Sequence, residues 1–212
     1  MQTTRTIPAL FALLLLLVPA GLRAQTGLGV SVQGGLTFAA GDEGDNFGTG
    51  PNFALRTVVP LSERLAIQTT VGYQELRVRQ DNALVSRGYD PSTFRLGGGF
   101  MEGGNRRALG ALVQGQLHLL PRSGRFSPYV LAGAGISQVR VTDFGIYFLG
   151  RWNDEPGTSE IVPAADVGAG VQLRVARVVS FFAQGSYQML FTEGGSTTMI
   201  PGVIGIMIEM GR

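Results

Sequence analysis

Chemistry needs particular side chains in reach of one another, and this chain offers few. It has one histidine, His118, and no cysteine. A multi-histidine metal site, a thiolate nucleophile and a disulfide framework are therefore excluded, and any histidine base must be His118. Leu119 and Leu120 follow it and no serine adjoins it, so the local sequence pairs it with no nucleophile. Asp42, Glu43 and Asp45 gather in GDEGDNFGTG, residues 41–50. Clustered carboxylates suit a hard cation, but this spacing does not match a calcium-binding helix–loop–helix, and the segment reads as a solvated acidic loop. Residues 77–107 carry Arg77, Arg79, Arg87, Arg95, Arg106 and Arg107, whose guanidinium forks suit phosphate. No phosphate-cradling glycine loop, metal motif or strained serine elbow is present, so neither a cofactor nor a catalytic residue is expected.

The elements that must position these groups begin after residue 24. Residues 1–24 run MQTTRTIPALFALLLLLVPAGLRA, with Arg5 before an apolar run from Ile7 to Val18 and small residues after it. This is the pattern of a secretory signal peptide cut after Ala24, with a cut after Ala20 as the alternative, leaving 25–212 as one domain. All 17 basic residues are Arg, and Arg5 and Arg23 lie in the leader. The exported chain then holds 15 Arg against 15 acidic residues, a formal charge of zero. The sequence pI of about 9.4 thus carries no claim on nucleic acid, whose partners show a basic stripe. With 32 Gly, 44% hydrophobic and 15% charged residues, the chain is a poor helical bundle and too apolar to be disordered.

What repeats after Gln25 is alternation with period two. Eight segments show it: 28–39, 52–59, 65–76, 108–119, 128–141, 161–175, 178–191 and 198–210. In the first, Val30, Val32, Leu36 and Phe38 oppose Ser31, Gln33, Gly35 and Thr37. In the fifth, Tyr129, Leu131, Val139 and Val141 are read as opposing Ala132, Ala134, Gln138 and Arg140. The second face throughout is Gly, Ala, Ser, Thr and Gln with an occasional charge, too sparsely charged to meet water. It suits the inside of a narrow barrel, and the apolar face must then look at lipid. A secreted β-sandwich would need more charge between its apolar positions.

The expected fold is an all-β, eight-stranded antiparallel transmembrane β-barrel. Links 60–64, 120–127 and 176–177 are short and are placed in the periplasm; 40–51, 77–107 and 142–160 are long and placed outside, and 192–197 is intermediate. Tyr129, Tyr147, Phe148, Trp152, Phe181 and Phe191 are expected near strand ends as interfacial aromatics. Arg56, Gln116, His118, Arg140, Asp166, Arg174 and Glu209 are read as an inward polar network that plugs a lumen just wide enough for side chains.

The stretches RFSPYVLAGAG (Arg125 to Gly135), AADVGAGVQLRV (Ala164 to Val175) and SFFAQGSYQMLF (Ser180 to Phe191) resemble the small outer-membrane barrels of the OmpA and OmpX-like type, especially the PorT-like group. One departure is the end of the chain, IEMGR, where such barrels often end in an aromatic residue. The resemblance implies residence in the bacterial outer membrane, outer-membrane lipids as surroundings and the barrel-insertion machinery as a partner in assembly. It implies a non-enzymatic structural or surface-interaction role. A narrow channel or small-solute-binding barrel is the first alternative, and a lipid-modifying barrel enzyme the second. The enzyme reading would need His118 near the outer leaflet, and the topology puts it at the periplasmic end. Arg79, Arg87, Arg95, Arg106 and Arg107 are the candidates for contact with lipopolysaccharide phosphates; no other surface ligand is legible in the loops.

Overall fold

A computed structural model describes residues 27–41, 43–193 and 195–210; the expected leader lies outside them. Eight strands close a barrel: β1 (Leu28–Ala40), β2 (Gly50–Pro60), β3 (Leu65–Leu76), β5 (Arg106–His118), β6 (Phe126–Val141), β9 (Thr158–Arg174), β10 (Val179–Thr192) and β11 (Gly195–Met210). Each pairs antiparallel with its neighbour along the chain, and β1 closes against β11 from Leu28↔Met210 to Ala40↔Thr198. No edge is left in this ring, which is the condition for crossing hydrocarbon with strands. All eight expected strands are present, with ends that differ by no more than three residues and with 65–76 reproduced at both ends.

The polarity of the barrel is inverted relative to a water-soluble one. Ile204, Phe53 and Val32 on the outside are 70%, 60% and 59% exposed, while Gln68, Arg56 and Gln114 inside are 0%, 2% and 2% exposed. Alternation places one set in the wall's outer face and the other in the lumen. At roughly 25 cal/mol per Å² of apolar surface, an exterior of this kind is driven into a bilayer. No helix among the described residues is long and apolar enough to cross a membrane.

One strand departs from the sequence reading. In β6, Tyr129, Leu131 and Val139 point inward and are 2%, 2% and 3% exposed, whereas Ala132, Ala134 and Arg140 point outward. The physical reason is register. Tyr129 sits opposite His118 and Leu131 opposite Gln116, and residues directly across a ladder share a face. Both faces of β6 are apolar enough to be read either way, and a one-residue slip inverts the whole strand. Arg140 therefore does not belong to the lumen.

The hairpins join the barrel strands tightly at one end and through three long excursions at the other, where the link expected to be intermediate, 192–197, is instead a tight turn with Thr192 paired to Gly195. The link after β1 carries only the short helix Glu43–Asn46, and the other two long links are folded. Helices Gln80–Val85 and Pro91–Leu96 and strand β4 (Phe100–Gly103) come from the first, and β7 (Phe144–Phe148) and β8 (Arg151–Glu155) from the second. The three strands make a separate sheet in the order β4-β7-β8. Ala83, Leu84, Phe94, Met101, Phe144 and Ile146 form its own buried core.

Candidate functional site

The lumen is filled in tiers. At the short-turn end, Glu209 is 3% exposed and takes both carboxylate oxygens to Arg174 Nη2, each at 3.2 Å. Arg122 Nη2 also approaches Glu209 Oε1, at 3.7 Å, and Gln172 Nε2 donates to the same oxygen at 3.4 Å. Arg174 is also held by its Nη1, which donates to the Ser123 carbonyl at 3.0 Å. Arg122 belongs to the turn after Pro121, and it folds back into the mouth of the barrel, 4% exposed. Period-two patterning cannot place a turn residue, so sequence reasoning missed it.

His118 lies in the same tier, 1% exposed, with Nδ1 2.7 Å from Ser127 Oγ. The expectation that no serine neighbours it is corrected: the hairpin brings Ser127 across from nine residues away. The pair still lacks what a nucleophilic dyad needs. Ser127 Oγ donates to the Leu120 carbonyl at 3.1 Å, both side chains are buried, and the charge beside the imidazole is the Arg122 guanidinium. A cation cannot orient and stabilise an imidazolium as a carboxylate does. Among the described residues no three His, Cys, Asp or Glu converge as metal ligands. Asp42 and the Glu43 side chain lie outside what is described.

The next tier is built on Arg56. Its Nη2 donates to Gln33 Oε1 at 2.6 Å and Gln184 Oε1 at 2.8 Å, and Tyr129 O–H donates to the same Gln184 oxygen at 3.2 Å. The guanidinium lies 4.0 Å above the Phe182 ring. No carboxylate pairs with it among the described residues, so amide oxygens and a ring face carry the charge. Two glycines make room for this tier. A Cβ on Gly170 would collide with the Tyr129 ring, and one on Gly205 with the Phe182 ring. Each glycine is the direct cross-strand partner of the ring it admits.

Above Arg56 lies an amide network. Gln114 Nε2 donates to Asp166 Oδ2 at 2.5 Å, and Gln114 Oε1 accepts from Gln68 Nε2 at 2.7 Å and Thr70 O–H at 3.0 Å. Gln74 Nε2 donates to Gln188 Oε1 at 2.5 Å. Thr70, Gln74, Gln114, Asp166 and Gln188 border a cavity of about 50 Å³, space for a few waters. Asp166 Oδ1 has no hydrogen-bond partner within the described residues, and neither has Gln116 Oε1, at 3% exposure the remaining expected lumen residue. Toward the long-loop end the lining becomes apolar: Leu76, Leu112, Val139, Val162, Leu190 and Met199 pack together, with Phe47 from the first loop against them.

The loop arginines are mostly engaged within the molecule. Arg87 Nη2 meets Glu155 Oε2 at 2.9 Å, with its guanidinium over the Phe144 ring. Arg95 pairs with Asp81, and Arg107 Nε with Glu75 Oε2 at 3.4 Å. Arg106 lies over Phe47 and donates to Thr197 Oγ1 at 2.8 Å, which turns it onto the apolar plug. Arg79 is exposed. Phe181 and Phe191 face outward near the two ends of β10, whereas Tyr147, Phe148 and Trp152 belong to the separate sheet and Tyr129 to the lumen.

No family model matches the chain, and no curated protein matches it in sequence. Solved structures do match in fold. Neisserial surface protein A is similar at a TM-score of 0.53 and 12% identity over 86% of this chain and 97% of its own. A major outer membrane protein from Thermus thermophilus gives 0.56 and 10% identity over 87% and 100%. The outer membrane protein OprG from Pseudomonas aeruginosa gives 0.50 and 11% over 87% and 96%. The chain has the fold of the small eight-stranded outer-membrane barrels.

Proposed function

We propose that the protein is an integral outer-membrane barrel without enzymatic activity, whose closed lumen makes it a rigid stake and whose folded loops are its working surface. The observation that carries this reading is the filled lumen, apolar at the outer end, amide-lined in the middle and cross-linked by Arg122, Glu209 and Arg174 at the other. Buried charge is tolerated when it is paired or hydrogen-bonded, as Glu209 is by Arg122 and Arg174 and Arg56 is by Gln33 and Gln184, which favours a structural role for these groups over a conducting one. Current across planar lipid bilayers tests it. The reading expects no steady conductance; a stable open level of porin size overturns it.

A narrow polar path is the second reading, and the cavity bordered by Asp166 and Gln114 supports it, because Asp166 Oδ1 and Arg56 Nε have no hydrogen-bond partner among the described residues. It expects brief, small conductance events that disappear with Asp166→Asn. Outer-membrane lipids are the surroundings of the exterior, and the barrel-insertion machinery its partner in assembly. Lipopolysaccharide contact through the loops falls to Arg79 and to the half-exposed heads of Arg95 and Arg107, since Arg87 and Arg106 are committed to Glu155 and Phe47. Replacing Arg79, Arg95 and Arg107 together by Gln is expected to weaken lipopolysaccharide binding to the purified protein; unchanged binding would remove that contact.

A further inference from the structure

The sheet that crowns the barrel buries one face and leaves the other bare. Met101, Phe144 and Ile146 go into the loop core. The residues between them form two rows across the outer face, each in register. One row is Phe100, Tyr147 and Trp152, and the next is Glu102, Gly145 and Asp154. Ring centroids lie 5.1 Å apart for Phe100 and Tyr147 and 5.4 Å apart for Phe100 and Trp152. Phe100 and Trp152 remain 51% and 44% exposed. The indole lies over Gly145, where any Cβ would collide with it, and its N–H donates to Asp154.

An aromatic row beside a carboxylate row has one chemical preference. Ring faces attract cations through their quadrupole, and Glu102 and Asp154 add charge of the complementary sign. No arginine stands in either row, because alternation sends Arg151 to the other face. The same carboxylates oppose seating this face on anionic lipid headgroups. At its margin, β8 pairs only with β7 among the described residues, and all five of its residues are exposed. Its far edge therefore presents backbone N–H and C=O groups ready to template another strand.

We propose that this edge and face take up an extended basic segment of a partner polypeptide, added as a fourth strand beside β8. Alternate Arg or Lys side chains of that segment lie against Trp152 and Asp154. The proposal rests on the reading of the folded loops as the working surface and names the chemistry of what they bind. Backbone pairing fixes the register and the aromatic and acidic rows select positive charge.

Trp152 is the only tryptophan in the chain, so its fluorescence reports this face alone. The experiment uses the full chain in zwitterionic nanodiscs and a peptide of about ten residues alternating Arg and Thr, long enough for one strand. The emission is expected to change saturably with this peptide and not with its Glu–Thr counterpart. Glu102→Gln with Asp154→Asn is expected to weaken binding about tenfold, with circular dichroism unchanged. Methylating alternate peptide nitrogens is expected to abolish the response. Any of four results overturns the proposal: no saturable change, equal binding of the acidic peptide, unchanged affinity in the double variant, or response only to anionic vesicles. If the lumen proves closed and the peptide fails, the proposal alone falls. Steady conductance would overturn the reading of the barrel whatever the peptide does.

Discussion

Glu209 shows what a single residue can carry in this lumen. Among the described residues it is the one carboxylate that meets both Arg122 and Arg174, and all three are largely withdrawn from water. Glu209→Gln keeps the shape and removes the charge that the two guanidinium groups share at the barrel mouth. Breaking a buried pair from one side costs about 3 kcal/mol, and unfolding by urea in lipid vesicles should register a loss of that order. An unchanged midpoint would show the cluster to be solvated. Two of the three members of this cluster were legible. Arg174 and Glu209 alternate with apolar neighbours and so declare themselves inward, as do Arg56, Gln116, His118 and Asp166. Arg122 sits in a turn, where no period assigns a direction. Ser127 reaches His118 only because the hairpin closes, and adjacency in sequence does not reveal it.

At the scale of elements, legibility followed contrast between faces. Seven barrel strands alternate bulky apolar with small polar residues, and their direction could be read. β6 alternates Tyr129, Leu131 and Val139 with Val130, Ala132 and Ile136, so both faces look lipid-compatible. Its direction comes from β5 across the ladder, a long-range fact. The loop sheet was not legible because its strands are five residues or shorter and β4 finds its partner in a different loop. One local signal was available there: Asp90 precedes Pro91, a cap followed by proline at a helix start. Ser92 O–H and Thr93 N–H donate to its carboxylate and hold it at about 2, below its ordinary 3.8. A lowered carboxyl value means a stabilisation present above the unfolded value and lost as pH falls through the folded one. Amide exchange in helix Pro91–Leu96, corrected for the intrinsic pH dependence of exchange, should therefore be flat from neutrality down to about pH 4 and accelerate toward pH 2. Asp90→Asn, which still accepts the N–H but does not titrate, should remove that pH dependence.

For the molecule as a whole, the reversal of polarity decides the environment, and composition already carries it. A chain with 15% charged residues cannot clothe a barrel of this size for water. The sense of alternation then puts Gly, Ser and Gln where space is short and Val, Ile and Phe where hydrocarbon is the solvent. The arrangement of the lumen into an apolar plug, an amide layer and an ion cluster depends on register around the closed ring, which no single strand encodes. Because the chain contains no cysteine, every position can be labelled singly. The most direct test is a spin-label scan along β6 in lipid vesicles, reading collision with oxygen against a water-soluble nickel chelate. Labels at Val130, Ala132 and Ile136 should favour oxygen, and labels at Leu131, Ser137 and Val139 should be shielded from both. The opposite phase, with 131 and 139 in lipid and 132 and 134 shielded, would contradict this account.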